Sequence, residues 1–477
     1  MKANTLDKLI YYYKHLALFL SLLVLATPQY TVFGKIGFVI VGLGAALCIA
    51  DLFINQNFLK AKRMIWLLLF LASFVITILL NRHSFLNLNI MSFGYAAIAL
   101  IIMYPQGNKN NEEIVKEMFA INNTVLIFTA VLSTIGFGMF VVLFRFIHNY
   151  GPGQDYIVGW SSSNRLFGLY SNTGLMITSI AFALTVIQFE VAKNIYQNGI
   201  SKKYKAFLIY SLVINFIHLV LENASGAYIS LAVFIGIYVF TKLSQKYKDE
   251  KAFKCYIKSL AIAAGSIIFL FVAIYVFRYI LNFIPRIYDF IENLILNNGA
   301  GNDKLIKDFT MERDIPEGYG ALTGRPKIWA RGIEEFLKKP IFGWGPLSFG
   351  NIQVLEAPLR HWHNIIIQSL AGNGIVGTTF LFFFLISSAL EIIRKLWSKK
   401  LRANKYYGVI FASAALLFML AVNSMAEVTI MYMTRFSVLL FWLYLGYVIK
   451  LIYNGKNSRF DKPLLSVYNK LHKNKEK

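Results

Sequence analysis

Nine ionisable residues frame the chemical question. Arg145, Arg165, His218, Glu222, Arg278, His361, His363, Glu427 and Arg435 stand at or near the ends of long apolar runs. Charges in such runs are rare and usually face an internal cavity. Counting along the runs puts all nine at one level, although they come from elements far apart in the chain. A guanidinium grips phosphate with a planar fork and keeps its charge at any working pH. A neutral imidazole takes a proton from a hydroxyl that is becoming a nucleophile. Arg165 opens the sixth apolar run and His363-Asn364 the tenth, so both are expected at helix N-termini. The unpaired amides and positive dipole end there suit phosphate. A helix N-terminus or an Arg nearby also keeps an imidazole neutral, as a base requires. The pattern suits an anionic phosphate group beside a proton acceptor.

Other chemistries find less support. His361 and His363 are two apart, so a helix would splay them; a strand could align them, but no third ligand follows at a zinc spacing. No Asp-x-Asp pair, Gly-rich phosphate loop or Gly-x-Ser-x-Gly elbow is present. No metal or other cofactor is expected. Tyr150, Tyr156, Trp160, Phe167, Tyr170, Tyr319, Trp344 and Trp362 crowd the same level as the charges. They read as an interfacial belt, or as a belt in which one or two, Tyr170 and Trp344 foremost, stack on sugar rings.

The elements that carry these residues follow from composition. Of 477 residues 57% are apolar and 15% charged, and mean hydropathy is +0.55. A soluble domain has about 25% charged residues, so a soluble enzyme and a disordered chain are both excluded. Twelve apolar runs reach spanning length, at about 9–27, 36–54, 64–81, 85–104, 119–145, 166–191, 206–222, 226–241, 259–283, 364–390, 407–425 and 429–450. They are continuous rather than alternating, which favours helices over a barrel. The net charge of +24 is read as topology rather than nucleic-acid binding. One alternating set of connections holds 32 Lys and Arg; the short connections of the other hold four, and its long stretch 284–363 holds ten but exceeds the length over which the bias applies. The basic set, with both termini, is expected in the cytoplasm. The expected architecture is an all-α polytopic bundle: N-terminal spans over 1–283, an external loop over 284–363, C-terminal spans over 364–450 and a basic tail over 451–477. The first run, ending Val24-Leu25-Ala26, also has the outline of a signal peptide. The tail 454–477 is expected near anionic lipid. Cys48 and Cys255 form no disulfide framework.

The external segment carries helix signals of its own. Pro326 suits a first helical position, Trp329, Ile333, Phe336 and Leu337 share a face, and Pro340 and Gly343 end the element. A second amphipathic stretch covers 286–296, with Ile287, Phe290, Ile291 and Leu294 on one side. Residues 298–323 are polar and read as a lid.

Three blocks resemble the O-antigen ligase/polymerase family of bacterial membrane glycosyltransferases. The strongest joins Thr323-Gly324-Arg325, Trp329, Pro340-Ile-Phe-Gly-Trp-Gly345, His363-Asn364, Gln368 and Gly374-Ile-Val-Gly377. The second is Asn164-Arg165-Leu-Phe-Gly168-Leu-Tyr-Ser-Asn172. The third, Ser225-Gly226-Ala227, has Gly where the family commonly has Arg after Ser. The resemblance implies a bundle of the lipid-sugar glycosyltransferase type, working without metal at the outer face of the bacterial cytoplasmic membrane. Its donor would be an oligosaccharide on undecaprenyl pyrophosphate, within a surrounding of membrane lipids, with flippase and chain-length regulator proteins as partners. Arg165 and Arg325 would neutralise the pyrophosphate and His363 would activate the acceptor hydroxyl. Arg145, Arg278, His361, Asn364, Tyr170 and Trp344 are the further candidates for substrate binding.

A polymerase of O-antigen or capsule repeat units is the first reading, and a ligase to lipid A core its sister. A lipid-sugar flippase is the alternative of another class; it would be expected to show midplane charges and repeated halves. A peptidoglycan polymerase of the cell-shape type is set against the His-Asn block.

Overall fold

The computed structural model describes residues 3–25, 36–149, 155–161, 165–170, 176–247, 252–296, 324–354, 357–358, 361–433 and 435–453. The stretch 298–323, the tail 454–477 and part of the Asn164–Asn172 block lie outside them. The chain is an all-α polytopic membrane protein. Its helices are α1 (Ala3–Leu25), α2 (Ile36–Phe53), α3 (Met64–Leu80), α4 (Leu86–Ala97, prolonged by a π-helical turn Ile98–Met103), α5 (Asn111–Val141), α6 (Ile177–Ile195), α7 (Lys202–Glu222), α8 (Ser225–Lys246), α9 (Ala252–Leu281), α10 (Phe283–Leu296), α11 (Arg325–Lys338), α12 (Ile365–Leu396), α13 (Tyr407–Asn423) and α14 (Phe436–Ile452). All twelve expected spans find a helix. Among the described residues eight are long and apolar enough to cross a membrane, α3, α13 and α14 are apolar but shorter, and α6, which carries Glu190 and Lys193, falls in neither group. Local chemistry sets several starts. Asn110 and Glu113 cap α5 reciprocally, each side chain accepting the other's backbone N–H at 2.7 and 2.9 Å. Ser201 accepts the Tyr204 N–H at the head of α7.

The chain forms two compact units. Unit 1 comprises 1–23, 30–121 and 324–477. Its centre is α14, on which every residue but one from Phe436 to Ile452 is buried. Trp442 stacks at an angle on Phe384 of α12, and meets Tyr104 edge-on. A helix apolar on all sides belongs inside a bundle.

Unit 1 also holds a break in a span. Gly374, inside α12, has φ 63° and ψ −171°, a backbone region open almost only to glycine. The break frees two carbonyls and two amides, and the turn after α11 takes all four. Trp344 and Gly345 donate to Ala371 O and Gly372 O at 3.0 and 2.8 Å, and Ile375 and Val376 donate to Pro340 O and Ile341 O at 2.8 and 3.2 Å. From α3 and its cap, Thr77 Oγ1 and Asn81 Nδ2 donate to Phe342 O and Gly343 O at 2.6 and 2.9 Å. The Pro-x-x-Gly-x-Gly turn and the Gly-x-x-Gly segment, separate in sequence, are two halves of one backbone junction. Burying polar backbone in a membrane demands such pairing.

Unit 2 comprises 24–29 and 122–323. In it α6 packs on α7, and α8 on α9. Here the structure corrects one expectation. The fifth and sixth spans were placed up to 145 and from 166, but α5 ends at Val141 and α6 begins at Ile177. Between them lies an antiparallel sheet of β1 (Arg145–Asn149), β2 (Asp155–Ser161) and β3 (Arg165–Gly168) in the order β1-β2-β3. The apolar residues Phe144, Phe146 and Ile147 had lengthened the apparent span.

The amphipathic helices appear as α10 and α11. On α10, Phe283, Ile287, Phe290 and Ile291 are exposed. On α11, Pro326 stands in the first turn. Its inward side is Ile328, Gly332 and Glu335, packed on α12, while Ile333 and Leu337 of the expected face remain exposed. Gly332 shifts the contact round: a Cβ there would press on Ile367 and the Trp362 ring.

A Cβ at Gly374 would collide with Ile341 O and add backbone strain of about 1–3 kcal/mol. Gly374→Ala is expected to lower the melting temperature of the detergent-solubilised protein clearly. Gly42→Ala in α2, where nothing stands within 4 Å of the new carbon, should be neutral or raise it by the helix propensity of Ala, about 1 kcal/mol. Equal melting of the two would contradict the junction.

Candidate functional site

In unit 1 the fold gathers four basic groups on one carboxylate. Glu427 lies in the connection between α13 and α14, its backbone N–H donated to Asn423 O at 2.8 Å. His363 Nδ1 is 2.7 Å from Glu427 Oε1, and Arg325 Nη2 is 3.5 Å from the same oxygen. His361 Nε2 is 3.1 Å from Glu427 Oε2, and Arg435 Nη1 is 3.3 Å from it. The two imidazoles lie 4.0 Å apart, centroid to centroid.

Each side chain is held by its element. Arg325 heads α11, and Arg435 is the residue before α14. Asn364 caps α12: its Oδ1 accepts the N–H groups of Ile366 and Ile367 at 2.9 and 3.2 Å. Its Nδ2 donates to Met425 O at 3.0 Å, and Ile365 N–H donates to Ser424 O at 2.8 Å. These bonds stitch the head of α12 to the Glu427 connection and so fix the His363 to Glu427 distance. Trp362 is buried against Phe349, Ile328 and Ala371. Its N–H donates to Gln368 Oε1 at 2.9 Å, and Gln368 Nε2 donates to Pro346 O. Gln368 thereby ties the histidine loop to the turn that plugs α12. Between these anchors His363 has φ 49°, a left-handed conformation that costs a non-glycine residue about 1–3 kcal/mol and is enriched at functional sites.

Exposure separates the two histidines. The His361 side chain is 9% exposed and that of His363 30%. His363 can therefore reach a ligand, with Nδ1–H given to Glu427 and Nε2 presenting a lone pair, a tautomer assigned from that hydrogen bond. Burial, reinforced by the His363 and Arg435 charges and only partly offset by Glu427, pushes the His361 pKa down to about 4. Burial would raise the Glu427 carboxyl, but the hydrogen bonds and charges of His361 and His363 outweigh it and hold the carboxyl well below the usual range.

His361, His363 and Glu427 place ligand atoms within 4.8 Å of one another, a third ligand that spacing did not disclose. The same carboxylate already carries Arg325 and Arg435. Two guanidiniums against one carboxylate leave the cluster positive, which suits an anion better than a dication.

Unit 2 holds Arg165, Tyr170, Arg145 and Arg278. Arg165 lies on β3 and not at the N-terminus of α6, because the sheet intervenes. Its Nε donates to Glu222 O, the last carbonyl of α7, at 2.9 Å. Tyr170 is buried, its hydroxyl 3.2 Å from Ser133 Oγ and from Thr129 O, and burial pushes its pKa up. Arg145 pairs with Gly159 across β1 and β2, and Arg278 stands in the last turn of α9. In unit 1, Trp344 Nε1 donates to Glu335 O at 2.9 Å, and the Lys339 ammonium sits 3.8 Å over its ring. Glu427 and Arg435 carried no assigned role in the sequence reading. Their signal was the presence of charge in the last connection between apolar runs.

The His361 shift, from 6.5 down to about 4, makes stability depend on pH. Above pH 6.5 both folded and unfolded forms are neutral. Below it the unfolded chain binds the proton first, so stability falls as pH drops from 6.5 towards 4, by roughly 3 kcal/mol in all. His361→Gln is expected to flatten the melting temperature over that interval in a pH series of thermal melts. An unchanged slope would contradict the shift.

Residues 210–382 match the family model described as O-antigen ligase. No curated protein matches the chain. The matched stretch contains Arg325, the turn, the broken span, His361, His363 and Asn364, and it stops short of Glu427. From α7 to the middle of α12, this chain is therefore similar to the O-antigen ligase family.

Proposed function

We propose that the protein is a metal-independent glycosyltransferase that polymerises oligosaccharide repeat units carried on undecaprenyl pyrophosphate, making O-antigen or capsular polysaccharide. The observation that carries this reading is the His363–Glu427 pair, at 2.7 Å, with Arg325 on the same carboxylate. His363 Nε2 accepts the proton of an acceptor sugar hydroxyl. The hydroxyl oxygen forms its bond to the donor's anomeric carbon as that carbon's bond to the pyrophosphate oxygen breaks, with inversion. The electron pair leaves on the lipid pyrophosphate, whose charge Arg325 meets in unit 1. Arg165, in unit 2, is read as a pyrophosphate ligand on the strength of its block's resemblance to the family. Glu427 keeps the imidazole turned and stabilises the imidazolium, as the carboxylate does in other His-carboxylate pairs. His361 fills the second oxygen of Glu427.

The basic-residue bias supports a site on the outer face of the cytoplasmic membrane. With both termini cytoplasmic, twelve spans put 284–363 and the Glu427 connection on the external side. Exposed Ile333 and Leu337 beside Lys338 and Lys339 on α11 fit contact with the outer leaflet, where the lipid donor resides. A ligase is the second reading, favoured by the match to an O-antigen ligase family. It uses the same donor chemistry with lipid A core as acceptor. A gel of surface polysaccharide separates the two: loss of a polymerase leaves single repeat units attached, and loss of a ligase leaves none.

His363→Ala is expected to cut chain growth by about 10²–10⁴-fold while membrane levels of the protein persist. Undiminished polymer would remove His363 as the base. Glu427→Gln should lose at least about 10²-fold, and Arg325→Lys should fail for want of the forked contact. Excess EDTA should leave the rate of the purified enzyme unchanged; inhibition reversed by a divalent metal would instead assign a cation to the His361, His363 and Glu427 cluster.

A further inference from the structure

The mechanism above leaves unused an ionisable pair at the core of unit 2. His218 and Glu222, one turn apart on α7, are fully buried, with His218 Nδ1 3.1 Å from Glu222 Oε1. Thr178, in the first turn of α6, donates its hydroxyl to Glu222 Oε2 at 2.9 Å. The far edge of the imidazole faces Gly136 of α5 and Gly168 of β3, where a Cβ on either glycine would collide with His218 Nε2. Tyr170 closes the side, its ring edge-on to the imidazole at 5.1 Å. Four elements thus converge on one His-Glu pair that no solvent reaches.

Glu222 is also the last residue of α7, and its carbonyl is one of those left without a helical partner. Arg165 takes that carbonyl through Nε, a cation on the negative end of a helix dipole. A buried side chain pinned on both oxygens fixes the backbone to which it belongs. We infer that Glu222, locked by His218 and Thr178, is a positioning residue that sets the plane of the Arg165 guanidinium towards an anionic pyrophosphate. The pair itself touches no substrate, since both side chains are sealed from solvent. The inference rests on the reading of Arg165 as a pyrophosphate ligand.

The test is binding of undecaprenyl pyrophosphate to the full-length protein in detergent, for wild type, Glu222→Ala, Glu222→Gln, Arg165→Lys and the Glu222→Ala/Arg165→Lys double variant. Glu222→Ala should weaken binding on the order of tenfold or more, as small misplacements of a positioned group do. Glu222→Gln can still accept from Thr178 and pair with His218, and should stay within about twofold of wild type. In the Arg165→Lys background the Glu222→Ala loss should vanish, because residues acting through one another are not additive. Thr178→Val removes one hydrogen bond and should show a smaller loss with the same dependence on Arg165, which serves if Glu222→Ala does not fold. Equal losses in both backgrounds would make Glu222 merely structural and overturn the inference. Wild-type affinity in Arg165→Lys would instead defeat the assignment of Arg165 itself, and with it this role for Glu222.

Discussion

One carboxylate with four basic claimants governs the candidate site. Glu427 draws in His361, His363, Arg325 and Arg435, which come from three stretches of unit 1. Without the anion, the two guanidiniums would face each other uncompensated, and the low local dielectric would sharpen the cost. With it, the cluster keeps a surplus positive charge. The site is therefore poised to accept a further anion without rebuilding itself. Such preorganisation is how electrostatic stabilisation of a leaving group reaches useful size.

The left-handed backbone at His363 and the capped start of α12 serve that arrangement. Asn364 and Ile365 bind the Glu427 connection directly, so the strain at His363 is held from both sides. The two histidines divide the labour by burial. His361 is shut in beside the carboxylate, and His363 shows its outer nitrogen to the solvent side. A shared carboxylate that is hydrogen-bonded on both oxygens cannot swing, and the exposed imidazole inherits that rigidity.

The spans were legible because a bilayer demands about 20 apolar residues per crossing, and nothing else in a chain imitates such runs for long. Boundaries were less legible. Phe144, Phe146 and Ile147 extend the apolar run of α5, yet they stand in or beside a strand, and the error carried Arg165 to the wrong kind of backbone. The candidate residues His361, His363 and Asn364 announced themselves by type and spacing, and Arg325 through the block that resembles the family. Glu427 did not, because its contacts to the histidines span 64 and 66 residues and no local pattern encodes a partner at that distance. The partners of Trp344 and Tyr170 could not be read from the sequence either. Trp344 gives its ring N–H to a backbone carbonyl, and Tyr170 is packed within a polar network.

The interrupted span has a wider consequence. Because the turn after α11 completes the hydrogen-bond ladder of α12, neither segment can be transplanted alone. A chimera that imported only the helix from a relative would carry four backbone groups with no counterpart in the bilayer. Variation in this architecture must then proceed by exchanging 325–377 as one cassette, or by changing side chains around a frame that stays fixed.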